Sequence, residues 1–300
     1  MAESDFTESV VEQAALAWFE VLGYDISLGP DVAPGEPKAL RTAYEQTILH
    51  STLRTALENI NPHLSATILD DVFAKVVYSR SPNILEENQL FHRYLVDGID
   101  VEFIRPDGSI GGDKAWLLDF DDMSKNKWLA INQFTIIEGA QNRRPDIVVF
   151  VNGLPLAILE LKNAADEHAT ISHAFRQLQT YKTKIPTLFR TNVLLVISDG
   201  LEAHLGTLTS DKSRFLPWRT IDGETIAPKG LPQLEVLLKG VFAKENFLDL
   251  IRNFVVFQTD GANVSKKLAA YHQFHAVNKA IKSTVIASSQ HGDKRAGVDQ

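Results

Sequence analysis

The chain has 300 residues, room for one large domain or two ordinary ones, and its 44% hydrophobic and 23% charged content is that of a globular protein. It contains no cysteine, which excludes disulfides and cysteine-ligated zinc or iron–sulfur centres. The formal net charge of −8 counts against a free-standing nucleic-acid binder. The polar, acidic start MAESDFTE argues against a signal peptide, and no apolar run approaches membrane-spanning length, so the expected location is cytoplasmic with no membrane contact.

In chain order, residues 7–22 read as a helix with Val11, Ala14, Ala15, Trp18 and Leu22 on one face, ending near Gly23. The Pro- and Gly-rich stretch SLGPDVAPGEPK reads as a long exposed loop. Helices are expected at 39–60 and 64–78, broken by Asn61-Pro62, and at 84–96. Strands are expected at 99–105, 114–119, 128–137, 146–151 and 156–162, then a helix at 171–183 and a buried strand at 193–197. Short strands at 202–208 and 215–219 and helices at 231–239 and 244–253 follow. Thr259-Asp260-Gly261 reads as a domain boundary, with one long helix over 264–287 beyond it. The layout is α/β, without internal repeats and without a Gly-rich phosphate loop.

The chemistry concentrates in RPDIVVFVNGLPLAILELKN. Ile147 to Val151 form a continuous apolar run, as in a strand buried on both faces. Asn152-Gly153 is a hairpin turn signal, and Leu156 to Leu159 return as a second buried strand. Side chains alternate along a strand, so Glu160 and Lys162 share a face. Charges inside an apolar strand must be paired, metal-bound or at its mouth. Asp146 and Glu160 can offer two carboxylate oxygens and Leu161 a carbonyl to a hard cation such as Mg²⁺. Such a cation lowers the pKa of bound water and neutralises phosphoryl charge, and Lys162 is placed to assist. That combination suits phosphodiester hydrolysis, while a buried ion pair closing the sheet fits the same spacing.

In context these residues resemble a known family. Pro145-Asp146, Glu160 and Lys162 look like the PD-(D/E)xK nuclease motif. The flanking text resembles the N-terminal part of the R (restriction, motor) subunit of type I restriction-modification enzymes. The matching stretches run in order along nearly the whole chain: EQAALAWFEVLGY, LLDFDDMSKNKWLAINQFTI, LLVISDGLEAHLGTLTSDKSRFLPW, LEVLLKGVFAKENFLDLIRNFVVF and YHQFHAVNKAI. Specificity lies in this ordered series rather than in the charged triplet.

The resemblance implies a restriction-endonuclease-like core, a mixed sheet flanked by helices, over residues 1–259. Residues 260–300 would begin a RecA-like ATPase and translocase domain, with GDKRAGV just ahead of a Walker A loop that this chain does not reach. It implies the activity of a type I site-specific deoxyribonuclease, with Mg²⁺ as cofactor and ATP required in the full-length protein. Double-stranded DNA and the methylation and specificity subunits would be the partners. Asp146 and Glu160 would hold the metal and Lys162 would complete the catalytic set. Gln177 and Tyr181, four apart on one helix face, match a Q-x-x-x-Y element beside the site. Glu12, or Glu8, corresponds to a first-helix glutamate that lines the metal. Gln273 would read the adenine of ATP through its amide, which donates and accepts.

Arg143 and Arg144 are candidate phosphate contacts, and equally ordinary loop charges. His272 and His275 have metal-pair spacing without a carboxylate or cysteine beside them, which favours packing or surface roles. Asp119, Asp121 and Asp122 read as a solvated turn. Two other readings remain open on the residues: a different PD-(D/E)xK DNA nuclease, and a docking or regulatory module whose hairpin charges are structural.

Overall fold

The computed structural model describes residues 2–104, 108–162, 170–261 and 263–289. Its elements run α1 (Ala2–Val21), β1 (Asp25–Leu28), α2 (His50–Ile60), α3 (Ala66–Val77), α4 (Ile84–Asp97), β2 (Ile99–Ile104) and β3 (Ile110–Ala115). Next come β4 (Trp128–Asn132), β5 (Ile136–Glu138), β6 (Gln141–Arg143), β7 (Ile147–Val151), β8 (Leu154–Leu161), α5 (Ile171–Lys184) and β9 (Leu194–Ser198). The last are β10 (Ala203–Gly206), β11 (Leu216–Pro217), α6 (Gln233–Val241), α7 (Lys244–Asn253), β12 (Val255–Asp260), β13 (Asn263–Leu268) and α8 (Tyr271–Ser288).

Among the described residues, seven strands form one sheet in the order β1-β4-β7-β8-β9-β10-β11. It is mixed: β1 with β4 and β8 with β9 are parallel, and the other pairs are antiparallel. Every residue of β7 and β8 is buried, which explains why polar alternation is missing from their sequence. One face, carrying Ile147, Val149, Leu159 and Val196, packs in a core with α1, α6 and α7. The other, carrying Val148, Phe150, Ile158 and Leu195, packs with Ala174, Leu178 and Tyr181 of α5. This mixed sheet flanked by helices is the arrangement expected of a restriction-endonuclease-like core.

Asn152 and Gly153 both have positive φ, 54° and 79°, as a two-residue hairpin turn requires. A Cβ on Gly153 would lie 2.6 Å from the Leu49 carbonyl oxygen, so the turn also needs glycine for close packing. Asn152 is fully buried and accepts from the Lys127 N–H at 2.7 Å, while its amide donates to the Leu117 carbonyl and Asn126.

Several expected elements differ. The helix expected at 39–60 begins only at His50. Arg41 turns inward instead: its guanidinium lies 3.6 Å from the Phe134 ring centroid and donates to the Gln46 and Thr135 carbonyls. The Gln46 side chain accepts from the Thr42 and Ala43 N–H groups, so this segment satisfies its backbone without a helix. The loop after Tyr24 opens with strand β1, paired to β4. The strand expected at 128–137 stops at Asn132, because the backbone turns left-handed at Gln133, with φ 51°. The helix expected from 264 is first strand β13 and becomes helical only at Tyr271. The expected division at 259–261 falls at the turn of the β12–β13 hairpin, whose Lys266 is buried against Asn88 and Asn192. GDKRAGV lies outside the described residues. Among the described residues, no helix is long and apolar enough to cross a membrane.

Candidate functional site

Asp146 immediately precedes β7, Glu160 lies in β8 and Lys162 directly follows β8. By strand alternation all three lie on the α5 side of the sheet, the side of Val148 and Ile158. Asp146 Oδ2 accepts the Leu161 backbone N–H at 2.7 Å, which ties the two strand ends together. Lys162 Nζ lies 2.9 Å from Glu160 Oε1 and donates to the Leu161 carbonyl at 3.1 Å. The Lys162 N–H donates to the Ser198 carbonyl at 2.7 Å, holding this segment against β9.

Glu160 is 1% exposed. Burial, followed by the neighbouring Asp146 charge, pushes its carboxyl up to about 8, against the pull of Lys162. Its second oxygen, Oε2, is buried without a hydrogen-bond partner among the described residues. A cation beside that oxygen would satisfy it and favour the charged carboxylate. The donor set is therefore suited to a hard divalent ion: two carboxylates, the Leu161 carbonyl and water. Among the described residues no group of three or more histidine, aspartate or glutamate side chains could hold a metal, so the backbone and solvent would have to complete the shell.

Gln177 and Tyr181 of α5 meet as their spacing predicts. Gln177 donates to the Tyr181 hydroxyl at 3.0 Å, and that hydroxyl donates to the Arg144 carbonyl at 3.3 Å. Burial, then the Glu160 charge, raises the Tyr181 hydroxyl well above its ordinary value, so it remains a neutral donor. Arg144 reaches this network through its backbone, while its side chain is exposed. The Arg143 guanidinium is folded back on Asn142 and Gln141.

Glu12 reaches the site from α1, across the end of the sheet. The Asn132 amide donates to Glu12 Oε1 at 2.6 Å, and the Gln133 amide donates to Glu12 Oε2. Gln133 also lies 3.4 Å from Asp146 Oδ1. Asn132 and Gln133 were not among the residues expected here. Their signal was the stretch LAINQFTI, in which two amides end an apolar strand. The side chain of Glu8 lies outside the described residues.

The remaining candidates lie elsewhere. Gln273 Oε1 accepts the Ala270 N–H at 2.9 Å, so Gln273 closes the first turn of α8. It also lines a cavity of about 830 Å³ between α8, the β12–β13 hairpin and Trp218. His275 packs its ring on Trp218 and Phe274. Asp119 accepts from the Asp121 and Asp122 N–H groups and pairs with Lys125, which makes the acidic cluster a self-capped turn.

Residues 5–214 match the family described as type I restriction enzyme R protein N terminus. The chain is 38% identical over 295 residues to the type I restriction enzyme HindI endonuclease subunit of Haemophilus influenzae, covering 97% of this chain and 28% of that protein. A Methanocaldococcus jannaschii protein assigned by name to the same type of subunit, MjaIXP, is 32% identical over 311 residues, 96% of this chain and 29% of its own length. The type I restriction enzyme EcoprrI endonuclease subunit of Escherichia coli is 29% identical over 188 residues, 60% of this chain and 55% of that protein. The chain thus spans less than a third of the length of the first two relatives. With the family match covering more than half its residues, this chain belongs to the N-terminal family of type I restriction enzyme R proteins.

Proposed function

We propose that this chain carries the nuclease site of a type I restriction endonuclease subunit, which hydrolyses phosphodiesters of double-stranded DNA. The observation that carries the reading is the buried Glu160 Oε2, without a hydrogen-bond partner among the described residues, beside Asp146 and Lys162 at one mouth of the sheet. Asp146, Glu160 and the Leu161 carbonyl would hold Mg²⁺. That ion, when bound, supplies a nucleophilic water and offsets charge on the phosphate. As a carboxylate, Glu160 would have its unpaired Oε2 satisfied by the ion. Lys162 keeps its ammonium directed at the site and opposes the negative charge that develops on the phosphate oxygens. Tyr181 and Gln177 would support the Glu160 side of the site, and Arg143 and Arg144, just ahead of Asp146 in sequence, would contact phosphates.

Residues from 260 onward would lead into a motor domain that delivers DNA to this site by ATP-driven translocation, with Gln273 beside the nucleotide. Methylation and specificity subunits would choose the target, and the complex would act in the cytoplasm. This division of labour suits the net charge of −8, since the chain need not capture DNA unaided. In the full-length protein assembled with its partners, Lys162→Ala should slow cleavage by at least ~10²-fold, equivalent to about 3 kcal/mol of barrier. Cutting at the wild-type rate would refute the assignment of Lys162.

A further inference from the structure

Gln133 occupies an unusual backbone position for a residue with a side chain. Its φ of 51° lies in the left-handed region, directly after strand β4. Consecutive strand residues normally face opposite ways. The left-handed turn removes that alternation, so the amides of both Asn132 and Gln133 reach the same carboxylate, Glu12.

The surroundings hold this conformation from both sides. The Gln133 N–H donates to the Asp146 carbonyl at 2.9 Å. The Gly29 N–H donates to the Asn132 carbonyl at 2.8 Å, and a Cβ on Gly29 would lie only 2.3 Å from the Gln133 carbonyl oxygen. Backbone strain kept by such over-determination marks functional positions more often than neutral ones. Here its product is specific: one amide nitrogen faces both Glu12 Oε2 and Asp146 Oδ1. Both oxygens of Glu12 are thereby committed to amide donors.

We propose that Gln133 is a positioning residue for Asp146, held by Glu12, so that Glu12 acts on the cation site through this amide and not as a ligand. The proposal rests on the nuclease reading above. Gln133 holds Asp146 Oδ1 while the Leu161 N–H holds Oδ2, so the two donors together restrict the rotation of that carboxylate. Loss of such an outer contact typically weakens metal affinity by about 10–100-fold without removing a ligand.

The test is Mn²⁺ titration by calorimetry on the full-length protein with a short duplex and no nucleotide. The relevant binding component is the one that Asp146→Ala removes. Gln133→Met keeps length and loses the amide; Gln133→Gly also relieves the left-handed strain. Both should weaken that component by about 10-fold or more, with the thermal midpoint of Gln133→Gly held near wild type. Cleavage by the assembled Gln133→Met enzyme should recover when Mn²⁺ is raised by about the same factor. Glu12→Ala should also weaken binding, and Glu12→Ala combined with Gln133→Met should be no weaker than the worse single variant. Wild-type affinity in Gln133→Met, or losses that add in the double variant, would overturn the proposal. A binding component that survives Asp146→Ala, or none in the wild type, would instead overturn the underlying site and the proposal with it.

Discussion

Replacing Lys266 with Met should change how stability depends on pH. Lys266 is 2% exposed on β13, and its ammonium donates to two neutral acceptors, Asn88 Oδ1 at 2.9 Å and the Asn192 carbonyl at 2.7 Å. Burial pushes its pKa down to about 7 from an ordinary 10.5. At ~1.36 kcal/mol per unit, that shift corresponds to a ceiling of about 5 kcal/mol at low pH, which local opening of the hairpin would reduce. The sign follows from proton counting. Between about pH 7 and 10.5 the unfolded chain binds more protons at this site than the folded chain, so stability rises with pH there. Below about 7 both forms are protonated and the full cost applies.

From pH 7.5 to 9.5, wild type should therefore gain about 2 kcal/mol relative to Lys266→Met. Met fills the volume of the lysine stem, and loss of the donor to Asn88 Oδ1 costs ~1–3 kcal/mol at every pH. The second term offsets the two curves without changing the slope of their difference. Urea unfolding of both proteins across this pH range, followed by circular dichroism, measures the difference directly, and shifts at Glu160 and Lys182 cancel in it. Parallel stability–pH curves would refute the reasoning.

Two further perturbations separate structure from chemistry. Asn152→Ala removes three hydrogen bonds, two of them buried, and leaves alanine at a positive φ, so it should cost about 3 kcal/mol or more in urea unfolding; a loss under about 1 kcal/mol would contradict this account of the turn. Tyr181→Phe keeps the ring in its core but loses the hydroxyl between Gln177 and the Arg144 carbonyl. It should cut DNA roughly 10-fold more slowly in the assembled enzyme with an unchanged unfolding midpoint, and wild-type cutting would reduce Tyr181 to a packing role.

The residues that announced the site share a physical reason. Glu160 interrupts a continuous apolar run while Asp146 and Lys162 bound two such runs, and the cost of burying a charge makes such placements meaningful. Gln177 and Tyr181 stand one helical turn apart, so their contact follows from local geometry. Features that depend on partners distant in sequence were not legible. β1 is four residues long, DISL, and becomes a strand by pairing with β4, about a hundred residues later. Arg41 looks like a surface residue in a helix until the Thr135 carbonyl and Phe134 ring enclose it. The polar text NVSKKL of β13 lacks the apolar alternation of a half-buried strand, yet its Lys266 is buried by α4 and the segment before β9. Gln133 turns left-handed because Gly29 and Asp146 grip the chain there, which no local propensity encodes.

Cleavage of duplex DNA by the full-length protein with its partner subunits, Mg²⁺ and ATP, compared between wild type and Asp146→Ala, tests the central claim most directly. The nuclease reading predicts that cutting falls by at least ~10²-fold while ATP hydrolysis continues, which places the cutting chemistry on this hairpin and apart from the motor. Cutting at the wild-type rate by Asp146→Ala would mean that the hairpin charges are structural and that the catalytic residues lie elsewhere.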